Sequence, residues 1–187
     1  MFKFIKEFIK NPKFIGAVAP SSKYLAEKMI ESIDFKDCNC IIEYGPGTGV
    51  FTEKLITRKK ENTILIIFEN NKDFYNELIK IYGYKNNVKI INDGAENTNK
   101  YLEYYSIKEV DYIVSGLPFT SLPGNISDKI LKSTKEMLKN RGQFITFQYS
   151  LVKINFFKSY FNNIKSNKVI LNIPLAHVLR CEIKEEL

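Results

Sequence analysis

The residues best placed to do chemistry lie in Ile41-Ile42-Glu43-Tyr44-Gly45-Pro46-Gly47-Thr48-Gly49-Val50. A β-branched run ends in an acid, three glycines follow at alternate positions, and a helical pattern begins. Without a Cβ, the backbone turns sharply and lets a ligand touch it. Glu69 ends the next β-rich run, 20 residues after Gly49. Its carboxylate offers two acceptor oxygens and no donor, which matches the paired hydroxyls of a ribose. Asp93 ends a third run, just before Gly94 and Ala95. In parallel sheets ligands bind outside the carboxyl ends of the strands, so Glu43, Glu69 and Asp93 are expected to face one crevice. Glu69 or Asp93 alone is as well explained as a helix or turn cap. The three acids together with the glycines are not. An acid within the glycine motif also suits a cationic ligand better than a pyrophosphate.

The elements that must position these groups alternate. Strands are predicted at Cys40–Tyr44, Thr63–Phe68, Val88–Ile91, Val110–Ser115 and Gln143–Tyr149. Helices are predicted at Val50–Arg58, Asp73–Tyr82, Glu96–Tyr105, Ser127–Leu138 and Val152–Tyr160, with Asn140-Arg141-Gly142 as a helix stop. Two closing strands, Lys168–Asn172 and His177–Ile183, are separated by too few residues for a crossover and must be antiparallel. Repeated β-α units predict a mostly parallel sheet with helices on both faces. A nicotinamide-type Rossmann fold would need a sixth parallel crossover instead.

Ahead of this core, Phe2, Ile5, Phe8 and Ile9 share one helical face over residues 2–10, and the pattern ends near Asn11-Pro12. A second helix is expected from Lys23 to Ser32, capped by Ser21 or Ser22. With 187 residues the chain reads as one domain, 1–187, whose residues 1–36 form an N-terminal helical extension. The net charge of +7 favours anionic partners, and residues 1–30 carry +4 of it. Three cysteines argue against a disulfide framework, and Cys38 and Cys40 are too few ligands for zinc, so no metal is expected. No apolar run is long enough to span a bilayer. A cytoplasmic protein, with peripheral membrane association, is the expected location.

The pattern Glu43-Tyr44-Gly45-Pro46-Gly47-Thr48-Gly49, then Glu69-Asn70, then Asp93-Gly94-Ala95, resembles class I S-adenosylmethionine-dependent methyltransferases. That resemblance implies a Rossmann-like, seven-stranded, mostly parallel sheet with an antiparallel last strand. It implies S-adenosylmethionine as cofactor, with Glu69 on the ribose, Asp93 facing the adenine amino group, and the glycines beside the methionine part. Glu43, Tyr44, Thr48, Asn70, Gly94, Ala95 and Ser115 complete the expected cofactor set. The runs Gly16-Ala17-Val18-Ala19-Pro20-Ser21-Ser22, Ser115-Gly116-Leu117-Pro118 and Asn172-Ile173-Pro174-Leu175-Ala176 resemble bacterial phospholipid N-methyltransferases. These methylate phosphatidylethanolamine, and rRNA adenine dimethyltransferases share parts of the same motifs. The latter carry N-L-P-[FY] after the fourth strand, where this chain has Gly116-Leu117-Pro118-Phe119.

The expected acceptor is therefore a phospholipid amine. An RNA adenine or a small-molecule amine is the alternative, and nucleic acid is the less favoured partner. Acceptor-side candidates are Tyr24, Ser115, Leu117, Pro118, Phe119 and Tyr149, whose rings could stabilise a growing quaternary ammonium. Ser21, Ser22 and Arg180 are candidates for the head-group phosphate, and His177 reads as structural. Four Lys and one Glu in residues 1–13 give +3. At about 1 kcal/mol per basic residue beside an anionic surface, this is worth roughly 3 kcal/mol of membrane partitioning.

Overall fold

The computed structural model describes residues 23–183. The helix expected over 2–10, together with Ser21 and Ser22, lies outside the described residues. Seven strands form one sheet in the order β3-β2-β1-β4-β5-β7-β6. They are β1 (Cys40–Tyr44), β2 (Ile64–Phe68), β3 (Val88–Ile91), β4 (Val110–Ser115), β5 (Leu138–Gln148), β6 (Asn163–Val169) and β7 (Ala176–Glu182). The pairings from β3 to β5 are all parallel, while β7 runs antiparallel to both β5 and β6. The helices are α1 (23–30), α2 (Val50–Arg58), α3 (Lys72–Tyr82), α4 (Thr98–Tyr104), α5 (Gly124–Met137) and α6 (Ile154–Lys158).

Strand periodicity divides the core in two. Ile42, Tyr44, Ile66, Phe68, Ile113 and Phe144 face one helical layer. Ile41, Leu65, Ile67, Val114 and Ile145 face the other, where α1 lays down Leu25, Ala26, Met29 and Ile30. Each large aliphatic buried in this way is worth about 1.5–3 kcal/mol, which is why strands buried on both faces read as continuous apolar runs. Because β2 and β3 leave β1 on one side and β4 and β5 on the other, the chain reverses its winding between β1 and β4. A crevice opens at the carboxyl ends there.

Three elements depart from the sequence expectation. The strand expected over 168–172 lies earlier, at Asn163–Val169. It is an edge strand with exposed polar positions, so it lacks an apolar signature, and the apolar Ile170, Leu171 and Ile173 sit in the loop after it. Asn140-Arg141-Gly142 does not stop a helix: α5 passes directly into β5, and these residues form a bulge inside that strand. Leu138 pairs with Val110 and Gln143 with Tyr112, so Lys139–Gly142 loop out opposite Asp111 alone. Arg141 adopts φ 66°, and a Cβ on Gly142 would stand 2.9 Å from the Lys139 carbonyl oxygen. The helix expected over 152–160 is a 3-10 turn, Leu151–Lys153, followed by the short α6.

The amino ends of the strands are locked by Asp111. Its Oδ2 accepts from the N–H groups of Asn39 (2.9 Å) and Cys40 (2.8 Å), and its Oδ1 is paired with Lys139 on the β5 bulge. Burial alone would raise its pKa, but the Lys139 ammonium and the two N–H groups outweigh that and hold the carboxyl below its ordinary range. Burial pushes the neighbouring Cys38 and Cys40 thiols up to about 12. Replacing Asp111 by Ala leaves two N–H groups and an ammonium without their acceptor. Asp111→Ala is expected to lower stability by about 2–4 kcal/mol in urea unfolding, with the slope of the transition unchanged.

Candidate active site

A crevice of about 250 Å³ lies at the carboxyl ends of the central strands. Gly45, Glu69, Asn70, Asp93, Gly94 and Ala95 line one side; Leu117, Leu122, Pro123, Ile126 and Ile130 supply an apolar wall. The glycine turn follows β1 with Gly45, Gly47 and Gly49 all at positive φ (62°, 56° and 82°), a conformation that excludes most L side chains. A Cβ at Gly45 would stand 2.7 Å from Leu117 Cδ2, whereas a Cβ at Gly47 would meet nothing within 4 Å. The turn therefore packs on one flank and is open on the other.

Glu69 joins this turn to the one after β2. Gly47 N–H donates to its Oε2 (3.1 Å) and Asn71 N–H to its Oε1 (2.7 Å). Asn71 in turn caps α3, its Oδ1 accepting from the N–H groups of Asp73 and Phe74. Burial pushes the Glu69 carboxyl upward against these N–H groups. Asp93 is held by three donors: Gly94 N–H (2.8 Å) and Asn97 Nδ2 (2.7 Å) on Oδ1, and the Tyr101 hydroxyl (2.8 Å) on Oδ2. The Asn97 contact first, and the Tyr101 and Gly94 donors after it, hold this carboxyl below its ordinary range.

Glu43 is wholly buried, with Oε2 accepting from the Thr52 hydroxyl at 2.7 Å and Oε1 lacking a partner. Burial raises its pKa to about 8, with Thr52 opposing and the negative Glu69 adding to the rise. A buried carboxylate oxygen without a donor, beside a turn with one open flank, fits a ligand that brings positive charge and hydroxyl donors together. Glu43, Glu69, Asp93 and the glycines could hold such a cofactor.

The other expected site residues divide. Asn70, Gly94, Ala95 and Leu117 lie on the crevice, and Thr48 is exposed on the glycine turn. Ser115 is buried and holds the turn after β4, its Oγ accepting from Leu117 N–H at 3.2 Å. Pro118 is exposed on that turn. Tyr44 departs from expectation: its ring is fully buried against Phe68, because an even position of β1 faces the opposite core layer from Glu43. Phe119 also departs, being fully buried against Phe144 and Phe157 rather than standing at the rim. Tyr149 is exposed just past β5, while Tyr24 lines a separate groove with Lys168–Leu171. These three rings therefore do not form one cage. Arg180 pairs with Glu31 through one amino group, while its Nε has no partner among the described residues. His177 pairs in register with Gln148 and Lys168 at the start of β7. Sequence reasoning missed Leu122, Ile126 and Ile130, whose only sequence signal is a helical spacing indistinguishable from core.

The Glu43 carboxyl has a folded-state pKa above its ordinary value. Its contribution to stability is complete below the ordinary carboxylate range and is lost as pH rises through about 8. The ligand-free wild-type protein is expected to lose thermal stability between pH 5 and pH 9, and Glu43→Gln to flatten that dependence in melts recorded across this range.

Residues 2–156 match the model of the family described as ribosomal RNA adenine dimethylase. An ornithine lipid N-methyltransferase of Singulisphaera acidiphila is 26% identical over 187 residues, covering 98% of this chain and 97% of that protein. The ribosomal RNA small subunit methyltransferase A of Hydrogenobaculum sp. is 32% identical over 111 residues, covering 59% of this chain and 40% of that protein. Its counterpart in Borrelia garinii subsp. bavariensis is 28% identical over 186 residues, 97% of this chain and 62% of that protein. The chain thus spans less than two thirds of the length of these rRNA methyltransferases. Among solved structures, the N-methyltransferase NodS of Bradyrhizobium japonicum superposes with a TM-score of 0.69 at 11% identity, covering 89% of this chain and 98% of that one. An rRNA methylase of Streptococcus thermophilus does so with a TM-score of 0.57 at 16% identity, covering 85% and 94%. These two likenesses establish the Rossmann-like methyltransferase fold. With the sheet order, the glycine turn and the family match together, the chain belongs to the ribosomal RNA adenine dimethylase family and is an S-adenosylmethionine-dependent methyltransferase.

Proposed function

We propose that this enzyme N-methylates the amine of phosphatidylethanolamine-type head groups at a membrane surface. The observation that carries the reading is Gly116. It stands where the rRNA adenine dimethyltransferase pattern has Asn, and a Cβ there would lie 2.5 Å from the Gly45 carbonyl oxygen. The backbone approach between the β1 and β4 turns leaves no room for the amide side chain that orients an adenine. The relative spanned nearly end to end is named for a lipid N-methylation, which supports the same choice.

When bound, S-adenosylmethionine supplies a methyl group on a sulfonium. The chain's own residues do the rest by orientation and exclusion of water. Glu69 accepts the ribose hydroxyls on the lone pairs left by Gly47 and Asn71. Asp93 would meet the adenine amino group, and Leu117, Leu122 and Ile126 would exclude water around the ring. Glu43, whose raised pKa keeps it largely protonated at neutral pH without a ligand, would give up that proton to balance the positive charge of the methionine part. The amine acceptor enters beside the Ser115–Pro118 turn and loses its proton to water or to the lipid phosphate. The N-terminal residues 1–13, at +3, add attraction to anionic lipid.

Glu69→Ala is expected to weaken cofactor binding about ten- to a hundredfold by calorimetry, since it removes a charged acceptor. Radiolabelled cofactor offered with lipid vesicles, RNA and small amines should label phosphatidylethanolamine. Label confined to RNA overturns the acceptor and favours the adenine reading that the family match also allows. Deleting residues 1–10 is expected to weaken sedimentation with anionic liposomes while cofactor affinity stays unchanged.

A further inference from the structure

Residues 137–181 contain five Lys, two Arg and no Asp or Glu, so this stretch carries +7, equal to the net charge of the whole chain. It builds β5, the turns around α6, β6 and most of β7. Two of its cations are neutralised from elsewhere, Lys139 by Asp111 and Arg180 by Glu31. Among the described residues, Lys153, Lys158, Lys165 and Lys168 have no acidic partner.

The same stretch carries the most exposed aliphatic side chains among the described residues. Val152 is 86% exposed, Ile170 76%, Leu171 62% and Ile173 77%, with Tyr149 and Leu175 beside them in sequence. The strand register collects these residues at one end of the sheet. Gln148, the last residue of β5, pairs with His177 at the start of β7, which also pairs with Lys168 near the end of β6. The 149–152 and 170–175 segments therefore sit at the carboxyl end of β5 and β6, the end at which the crevice opens between β1 and β4. Packing gives no reason for four aliphatic side chains to stand in water there, and contiguous exposed apolar surface marks an interaction site. Aliphatic side chains beside lysines that lack an acidic partner suit the acyl and head-group layers of an anionic bilayer. Single-stranded RNA would call for stacking rings and arginines, of which this rim has only Tyr149.

We propose that residues 149–152 and 170–175 form a membrane-docking surface that inserts into an anionic bilayer and sets the crevice against the head groups. The inference rests on the lipid-acceptor reading and adds a second attachment to the basic N-terminal residues. Stable anchoring generally takes two such signals.

The test uses the full chain and its triple variant I170S/L171S/I173S. As a control, Ile81→Ser changes an exposed residue on α3, beside the opposite sheet edge. Binding to vesicles of phosphatidylethanolamine and phosphatidylglycerol is measured by sedimentation. Methylation is measured on those vesicles and on monomeric dihexanoyl-phosphatidylethanolamine. The triple variant should lose vesicle binding at least about tenfold, retain cofactor affinity, and methylate the monomeric lipid as the wild type does. The control should match the wild type in every assay. Unchanged vesicle binding by the triple variant overturns the proposal. So does a loss confined to RNA binding, or a wild-type dimer that the triple variant converts to monomer. If vesicle binding falls but no phosphatidylethanolamine is methylated by either protein, the docking surface stands and the acceptor reading fails.

Discussion

A single carboxylate holds the two turns of the cofactor crevice to one another. Glu69 accepts one N–H from the glycine turn after β1 and another from the turn after β2, so neither turn can shift without stripping a buried charge of a donor. Such a loss is costly in a water-poor site. The arrangement also means that the acceptor groups are in place before any ligand arrives. Each Glu69 oxygen has a further lone pair, so hydroxyls can add to the carboxylate without displacing the N–H groups. Preorganisation of this kind lowers the cost of binding.

Around that bridge, polar work is divided between the two ends of the sheet. At the amino ends Asp111 has two N–H donors on one oxygen and the Lys139 ammonium beside the other, and ties β1, β4 and the β5 bulge together. At the carboxyl ends Glu43 is left half satisfied in the core. A chain that gives one buried carboxylate a cation of its own and leaves the other without one has placed its instability where a cationic ligand can remove it. The proximity of Glu69 to Glu43 has the same sense, since its negative charge disfavours that of Glu43 until positive charge enters.

Much of this was legible because it is periodic or local. The β1 to β5 strands announce themselves as apolar runs, since both their faces are buried. The glycine turn and the acids at 69 and 93 stand out by spacing. What failed to show was tertiary. The β6 edge strand has no apolar run, and the apolar residues just after it imitate one. The bulge at Lys139–Gly142 carries ordinary helix-stop residues, yet strand pairing with β4 decides its conformation. Tyr44 and Phe119 are chemically suited to a ligand, but sheet parity for one and the aromatic cluster with Phe144 and Phe157 for the other turn both inward. Arg180 looked available because its partner, Glu31, is 149 residues away in sequence.

The open margin of the sheet has one more consequence. β6 ends the strand order, so among the described residues one side of its backbone faces no further strand, and such a margin readily accepts a strand from another molecule. Its sequence, Asn163-Ile164-Lys165-Ser166-Asn167-Lys168-Val169, sets two exposed ammonium groups along that margin. Two copies brought side by side would oppose like charges, so this strand resists fibre-like stacking by repulsion.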